Sequence, residues 1–103
     1  MKVVALTGDL MDRSKLTAAI EGVTFARDVE ECAGAEVVIV DLARHTGVIA
    51  ELRAVAPTAR IVGFGPHVQL EVADQARVAG ADVVLPRSRF FRDPATAIAA
   101  PPD

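Results

Sequence analysis

Charged side chains follow three apolar runs of this sequence, each at the point where the run ends: Asp41, Arg44 and His45 after 37–40, His67 after 61–64, and Arg87 and Arg89 after 83–85. Asp41 is either a reactive carboxylate at the rim of a sheet or only the polar residue where a buried strand reaches the surface. Guanidinium and imidazole groups at the same rim could bind an anion.

Several other kinds of chemistry lack their usual patterns. Cys32 is the only cysteine, which excludes a disulfide framework and a cysteine-rich zinc site. Neither G-x-G-x-x-G nor a Walker pattern occurs, and the segment GFGPH at 63–67 is too short to replace them. No Ser or Cys nucleophile has a base near it in the sequence, and two lone histidines are a weak metal site. We therefore predict that the protein is not an enzyme and has no cofactor.

The composition is that of an ordinary soluble globule. The chain has 103 residues, of which 51% are hydrophobic and 24% charged, so we expect one domain over 1–100 and a frayed tail at 101–103. The net charge of −3 offers no global attraction for nucleic acid or an anionic membrane. No apolar run approaches the roughly 18 residues of a membrane span. We expect a cytoplasmic protein without nucleic-acid or membrane partners.

Strand and helix patterns alternate along the whole chain. We predict strands at 2–6, 23–26, 37–40, 61–64 and 83–85, and helices at 10–20, 28–34, 46–56, 69–79 and 93–99. The middle strands are continuous apolar runs, which is typical of strands buried on both faces of a parallel sheet. Its core should contain Val38, Ile39, Val40, Val62, Val83 and Val84. In the first helix, Leu10, Leu16 and Ile20 should form the buried stripe. In the helix at 69–79, the residues that should face inward are Leu70, Val72, Ala73 and Ala76.

Ligands of such sheets bind at the carboxyl ends of the strands. The topology should therefore gather Arg44, His45, His67, Arg87 and Arg89 at one edge, with Asp41 among them and Asp9 across the gap. This basic rim could hold a sulfate, a phosphate or the carboxylate of a partner. The alternative is that Arg87 pairs with Asp41 and the other groups point apart into water.

Three segments resemble the receiver domain of two-component response regulators: VVIVDL, ELRAVAPTARIVGF and VAGADVVLPRS. The resemblance covers nearly the whole chain. It implies a flavodoxin-like, doubly wound α/β fold with a five-stranded parallel sheet in the order 2-1-3-4-5 and a shortened last helix. It also puts Asp41 at the position of the phosphoacceptor.

The sequence departs from the receiver pattern where that family does its chemistry. The two adjacent acids that hold Mg²⁺ in the family are replaced by Thr7-Gly8, and only Asp9 follows. The hydroxyl residue of the family's switch falls on Gly65, and its partner aromatic falls on Val84. The family's Lys falls near Arg87, whose planar fork is not a point charge.

These departures favour a pseudo-receiver, a signalling or protein-interaction module without efficient phosphorylation. One alternative is a phospho-accepting receiver that uses Asp41, with Mg²⁺ bound through Asp9 and Asp41. Another is a small anion- or nucleotide-binding domain at the basic rim. A protein partner or a second copy should bind the helix at 69–79, the fifth strand and the last segment, where Phe90 and Phe91 are either core residues or an exposed anchor.

Overall fold

The computed structural model describes residues 1–45, 47–65 and 70–99. The strands are β1 Val3–Leu6, β2 Thr24–Phe25, β3 Val37–Asp41, β4 Arg60–Gly65 and β5 Val83–Pro86. The helices are α1 Leu10–Ala19, α2 Ile49–Val55, α3 Leu70–Ala79, α4 Arg87–Arg92 and α5 Pro94–Ile98. A 3₁₀ turn, Glu30–Cys32, stands where the sequence predicted a short second helix. Residue 46, where the predicted third helix begins, and the predicted tail 101–103 lie outside the described residues.

The five strands form one parallel sheet in the order β2-β1-β3-β4-β5, which confirms the predicted flavodoxin-like topology. In the register of the sheet, Val38 of β3 lies between Val4 of β1 and Ile61 of β4. The chain runs from β1 to one side and then returns to place β3 on the other side. The carboxyl ends of β1 and β3 therefore flank the switch point at which such sheets bind ligands.

Each face of the sheet has its own apolar cluster because successive strand residues point to opposite faces. The first cluster contains Val38, Val40 and Leu52, and the second contains Ile39 and Val62. Of the six predicted sheet-core residues, Val83 alone is only half-buried, since β5 is an edge strand; the buried ones are Val38, Ile39, Val40, Val62 and Val84.

The predicted buried stripes are wrong at one position in each of two helices. In α1, Leu10 is 79% exposed, and the buried positions Asp12, Leu16 and Ile20 follow one another at intervals of four. An acid thus occupies the place in the stripe where an apolar residue was expected. In α3, Val72 is 43% exposed, while Ala73 and Ala76 are buried as predicted.

The segment after β5 is helical where the sequence predicted a loop. It forms α4 directly after Pro86, and the chain then turns at Asp93 into α5. Asp93 caps α5 by accepting a hydrogen bond from the backbone N–H of Thr96, and Pro94 is the first helical residue, as predicted. The face that α4 buries carries Phe90, which is completely buried.

Three phenylalanines join α4 to the sheet. The ring of Phe90 stacks on that of Phe64 of β4 at 4.9 Å, and the ring of Phe91 meets both edge-on. Such ring pairs add to the free energy of burial. Phe90 is therefore a core residue, and Phe91 is half-buried against it, so neither forms the exposed anchor.

No helix within residues 1–45, 47–65 and 70–99 combines the length and the apolar character of a membrane span.

Candidate functional site

Asp41 is the last residue of β3 and lies at the centre of the carboxyl edge of the sheet. Its side chain is almost fully buried. Oδ1 accepts a hydrogen bond of 3.0 Å from the backbone N–H of Ala43, and Oδ2 lies 3.9 Å from Nε of Arg44. A side-chain oxygen that bonds the backbone two residues on is the usual way in which Asp closes a turn. Asp41 therefore helps to shape the turn that follows β3.

The loop after β1 brings Asp9 to the same edge, where it is the N-cap of α1. Its Oδ1 accepts a hydrogen bond of 3.0 Å from the backbone N–H of Asp12. Next to it, Nε of Arg13 donates to the carbonyl oxygen of Thr7 at 3.0 Å. The hydroxyl of Thr7 is buried and has no hydrogen-bond partner among the described residues. The carboxylate of Asp9 is thus already engaged in starting the helix.

Arg87 forms a bidentate ion pair with Asp12, a residue that the sequence did not single out. Nη1 of Arg87 donates to Oδ2 of Asp12 at 2.9 Å, and Nη2 donates to Oδ1. Asp12 is completely buried, and the side chain of Arg87 is 34% exposed. The guanidinium also lies over the rings of Phe64 and Phe91, at 5.6 and 5.0 Å. Two parallel hydrogen bonds and aromatic contacts make this a strong pair.

This contact overturns the pairing that the sequence offered for Arg87: its ion pair is with Asp12 and not with Asp41. One signal in the sequence could have found it. Asp12 stands four residues before Leu16 and eight before Ile20, on the face of α1 that packs on the sheet. A carboxylate in such a place is rarely buried without a cationic partner.

The predicted basic rim is divided among different parts of the molecule. Arg44 and the half-buried His45 lie beside Asp41, as expected from their positions in the chain. Arg87 is bound to Asp12, and Arg89 lines a cavity on the flank of the sheet together with Arg60 of β4. His67 lies outside the described residues. That the rim residues bind an anion stays a prediction.

The donor set at this edge fits a magnesium ion poorly. Within residues 1–45, 47–65 and 70–99, no group of three or more His, Cys, Asp or Glu side chains could hold a metal ion. Asp12 is bound to Arg87 and Asp9 caps a helix, so Asp41 would be the main carboxylate ligand, whereas Mg²⁺ prefers near-ideal octahedral oxygen ligation.

Cys32 is not a candidate nucleophile or metal ligand. It is buried, and burial, with the carboxylates of Asp28 and Glu31, raises the pKa of its thiol to about 11. Because the thiolate is the nucleophile and the metal ligand, this cysteine is inert at neutral pH.

An apolar cleft of about 270 Å³ opens between α2 and α3, next to the turn after Asp41. Apart from Gln75, the described residues around it carry apolar side chains or none: Leu42, Gly47, Ile49, Ala50, Val72, Ala76 and Ala79. Leu42 packs closely on β4, because a Cβ on Gly63 would lie 2.9 Å from its Cδ1. The cleft is therefore bounded on the sheet side by a firmly packed residue.

No protein-family model and no curated protein matches this chain. Several solved structures match this chain. A response regulator from Burkholderia pseudomallei, with a phosphorylated aspartic acid, a calcium ion and citrate, has a TM-score of 0.80 and 22% identity, and the match covers 96% of this chain and 66% of that chain. A response regulator from Thermotoga maritima has a TM-score of 0.77 and 15% identity, over 96% of this chain and 98% of that chain.

A two-component response regulator of the LuxR family from Aurantimonas has a TM-score of 0.76 and 22% identity, over 94% of this chain and 81% of that chain. At these identities the likeness shows a shared fold. The chain has the receiver fold of response regulators, as the sequence predicted, and spans about two thirds of the Burkholderia chain.

Proposed function

We propose that this chain is a pseudo-receiver, a receiver-like signalling module that acts by binding another protein and is not efficiently phosphorylated. One observation carries the proposal: Arg87, which falls where receivers have their Lys, is bound to the buried carboxylate of Asp12. A group held in this way is not free to stabilise a phosphoryl group on Asp41. If Arg87 turned toward Asp41, the completely buried carboxylate of Asp12 would be left without its partner, which is unfavourable.

The chemistry of phosphoryl transfer also argues against efficient phosphorylation of Asp41. Transfer to a carboxylate requires a divalent cation and positive side chains to neutralise the charge that develops on the phosphoryl oxygens. Among the described residues, the arginine that contacts Asp41 is Arg44, and its side chain is 62% exposed. Exposed charges act through solvent of high dielectric constant and stabilise such charge weakly.

A receiver switch also needs a hydroxyl after the fourth strand and an aromatic ring on the fifth. Gly65 ends β4 without a side chain, and Val84 in β5 is a buried aliphatic residue that packs in the first apolar cluster. Neither residue can make the hydrogen bond or the ring movement of that switch. Output that depends on phosphorylation of Asp41 therefore has no route through these two positions.

The partner surface that we propose is α3 together with the apolar cleft beside it. Val72 lines the cleft and is 43% exposed; Val78 lies on the same helix outside the cleft lining and is 90% exposed. Exposed apolar side chains that border a cleft are typical of protein-binding sites. Phe90 and Phe91, which the sequence offered for this surface, pack against Phe64 and do not contribute to it.

A second candidate function is a phospho-accepting receiver. Asp41 ends the central strand at the switch point of the sheet, and the Burkholderia response regulator of the same fold was solved with a phosphorylated aspartic acid and a calcium ion. This candidate predicts covalent modification of Asp41, whereas the pseudo-receiver predicts none.

Phosphorylation is tested directly by incubating the chain with Mg²⁺ and a small phosphodonor and measuring the intact mass. A phosphorylatable receiver treated in parallel is the positive control. We expect no mass gain on this chain. A gain of one phosphoryl group that disappears in Asp41→Asn would overturn the pseudo-receiver and establish the second candidate.

The partner surface is tested with matched surface variants. Val72→Asp puts a charge at the cleft, and Leu10→Asp puts the same charge at an exposed apolar position of α1. A partner protein that binds the parent chain and Leu10→Asp but not Val72→Asp supports the α3 surface. A partner that binds both variants equally well would show that this surface is wrong.

A further inference from the structure

A second concave surface lies on the flank of the sheet, on the face opposite to the apolar cleft. This flank pocket has a volume of about 330 Å³ and is lined by Arg60, Val83, Leu85, Arg89, Arg92, Asp93, Thr96 and Ala97. Its apolar members pack against the second apolar cluster, whereas the cleft belongs to the first. The flank pocket is therefore separate from Asp41 and from the proposed partner surface.

Three guanidinium groups surround the flank pocket. Arg60 is the first residue of β4, and Arg89 and Arg92 lie one turn apart on α4. The ion pairs found among the described residues involve other arginines, namely Arg27, Arg44, Arg53, Arg77 and Arg87. The convergence of these positive groups on one cavity, without a salt bridge inside the described part of the chain, points to a negatively charged ligand.

Arg60 gives a second and independent indication. Its Nε is buried and has no hydrogen-bond partner among the described residues. The backbone around it is fixed, since the N–H of Arg60 donates to the carbonyl oxygen of Glu36 at 2.9 Å and β4 pairs with β3 along its length. A buried donor without an acceptor is unfavourable, so the side chain of Arg60 gains a hydrogen bond if it turns toward an oxyanion in the pocket that it lines.

The one acid that lines the flank pocket is already engaged. Oδ1 of Asp93 accepts from the backbone N–H of Thr96 at 3.2 Å, and Oδ2 accepts from its hydroxyl at 2.6 Å. These hydrogen bonds lower the pKa of Asp93, so it remains ionised as the cap of α5. Its single negative charge leaves the three guanidinium groups in excess.

The other residues that line the flank pocket indicate which kind of anion it could bind. Val83 and Leu85 of the half-buried edge strand and Ala97 of α5 form an apolar floor beside the charged groups. A cavity of this volume lies at the lower end of the range for small-molecule sites. We propose that the flank pocket binds a small organic oxyanion, whose carboxylate or phosphate group contacts Arg60, Arg89 and Arg92 and whose apolar body packs on Val83 and Leu85.

The experiment is an NMR titration of the full chain, which follows backbone amides and the arginine Nε–H groups. Phenyl phosphate and benzoate carry the two oxyanions on the same apolar body, benzyl alcohol has the body without the charge, and inorganic phosphate has the charge without the body. We expect saturable shifts at Arg60 Nε–H, Leu85 and Thr96 with at least one aromatic anion, and none with benzyl alcohol. The aromatic anion that binds more tightly identifies the head group, and inorganic phosphate should bind more weakly than phenyl phosphate.

The matched variants are Arg89→Gln/Arg92→Gln and Arg77→Gln. All three side chains are exposed, so the fold should be kept, and Arg77 lies on α3 outside the flank pocket. The double variant should weaken binding by about tenfold or more, and Arg77→Gln should bind like the parent. Equal binding by the two, shifts spread over elements outside the flank pocket, or no saturable shift with either aromatic anion would overturn the proposal.

Discussion

Two of the aspartate–arginine pairs in this molecule, Asp12–Arg87 and Asp41–Arg44, differ in almost every respect. Asp12 and Arg87 are 75 residues apart in the chain and meet through two hydrogen bonds, with the carboxylate fully buried. Asp41 and Arg44 are three residues apart and come within 3.9 Å, and the side chain of Arg44 is largely exposed. The first pair joins α1 to the start of α4, whereas the second only spans a turn.

The contrast between the two pairs shows which charges stabilise this fold. A buried bidentate pair is costly to break from one side, since the remaining charge has no partner. A pair whose closest atoms are 3.9 Å apart and whose arginine is largely exposed contributes between nothing and about 1 kcal/mol. The guanidinium of Arg87, which could have paired with Asp41, is thus bound to Asp12, and the interaction of Asp41 with Arg44 is weak. This is the physical basis of the pseudo-receiver that we propose.

The largest expected effect comes from Asp12→Ala. It leaves Arg87 between aromatic rings without its carboxylate, and it should lower the free energy of unfolding by about 3 kcal/mol. Urea denaturation followed by circular dichroism measures this. The control is Arg44→Gln, which should change the free energy by less than about 0.5 kcal/mol. If Asp12→Ala changed it no more than the control does, the two pairs would not differ and the contrast would fail.

A smaller effect is expected from double-mutant cycles, which isolate the pairwise energies. The cycle of Asp12→Ala with Arg87→Ala should give a coupling energy of about 2 kcal/mol, because the two side chains share two hydrogen bonds. The cycle of Asp41→Ala with Arg44→Ala should give less than about 0.5 kcal/mol. The same unfolding measurement serves for both cycles. Equal coupling energies would mean that Arg44 holds Asp41 as firmly as Arg87 holds Asp12.

The smallest expected effect concerns Asp41 by itself. Asp41→Ala removes the acceptor of the Ala43 N–H and should lower the free energy of unfolding by about 1 kcal/mol. Asp41→Asn keeps an acceptor oxygen and should lower it less. Unfolding curves of the two variants, compared with the parent, check this. A loss in Asp41→Ala as large as in Asp12→Ala would assign Asp41 a structural role that its contacts do not explain.

Local patterns in the sequence determined most elements of the fold, and the resemblance to receivers supplied the order of the sheet. Apolar runs and amphipathic spacing act over a few residues, so they predict strands and helices wherever the tertiary structure agrees with them. The position of Asp41 at the end of β3 and the start of α5 at Asp93 and Pro94 follow from such patterns. With strict alternation, the parallel sheet and its working edge follow as well.

Only the tertiary structure decided which side chains meet. The pairing of Asp12 with Arg87 depends on how α1 and α4 pack on the sheet, and no short window of sequence contains both residues. The same holds for the flank pocket, where Arg60 meets Arg89 and Arg92 because α4 continues directly from β5 and lies against the second apolar cluster. A sequence shows which side chains are charged, but the packing of distant segments decides which of them meet. The free energy of that packing is the sum of many small contacts, so it is not visible in any short stretch of sequence.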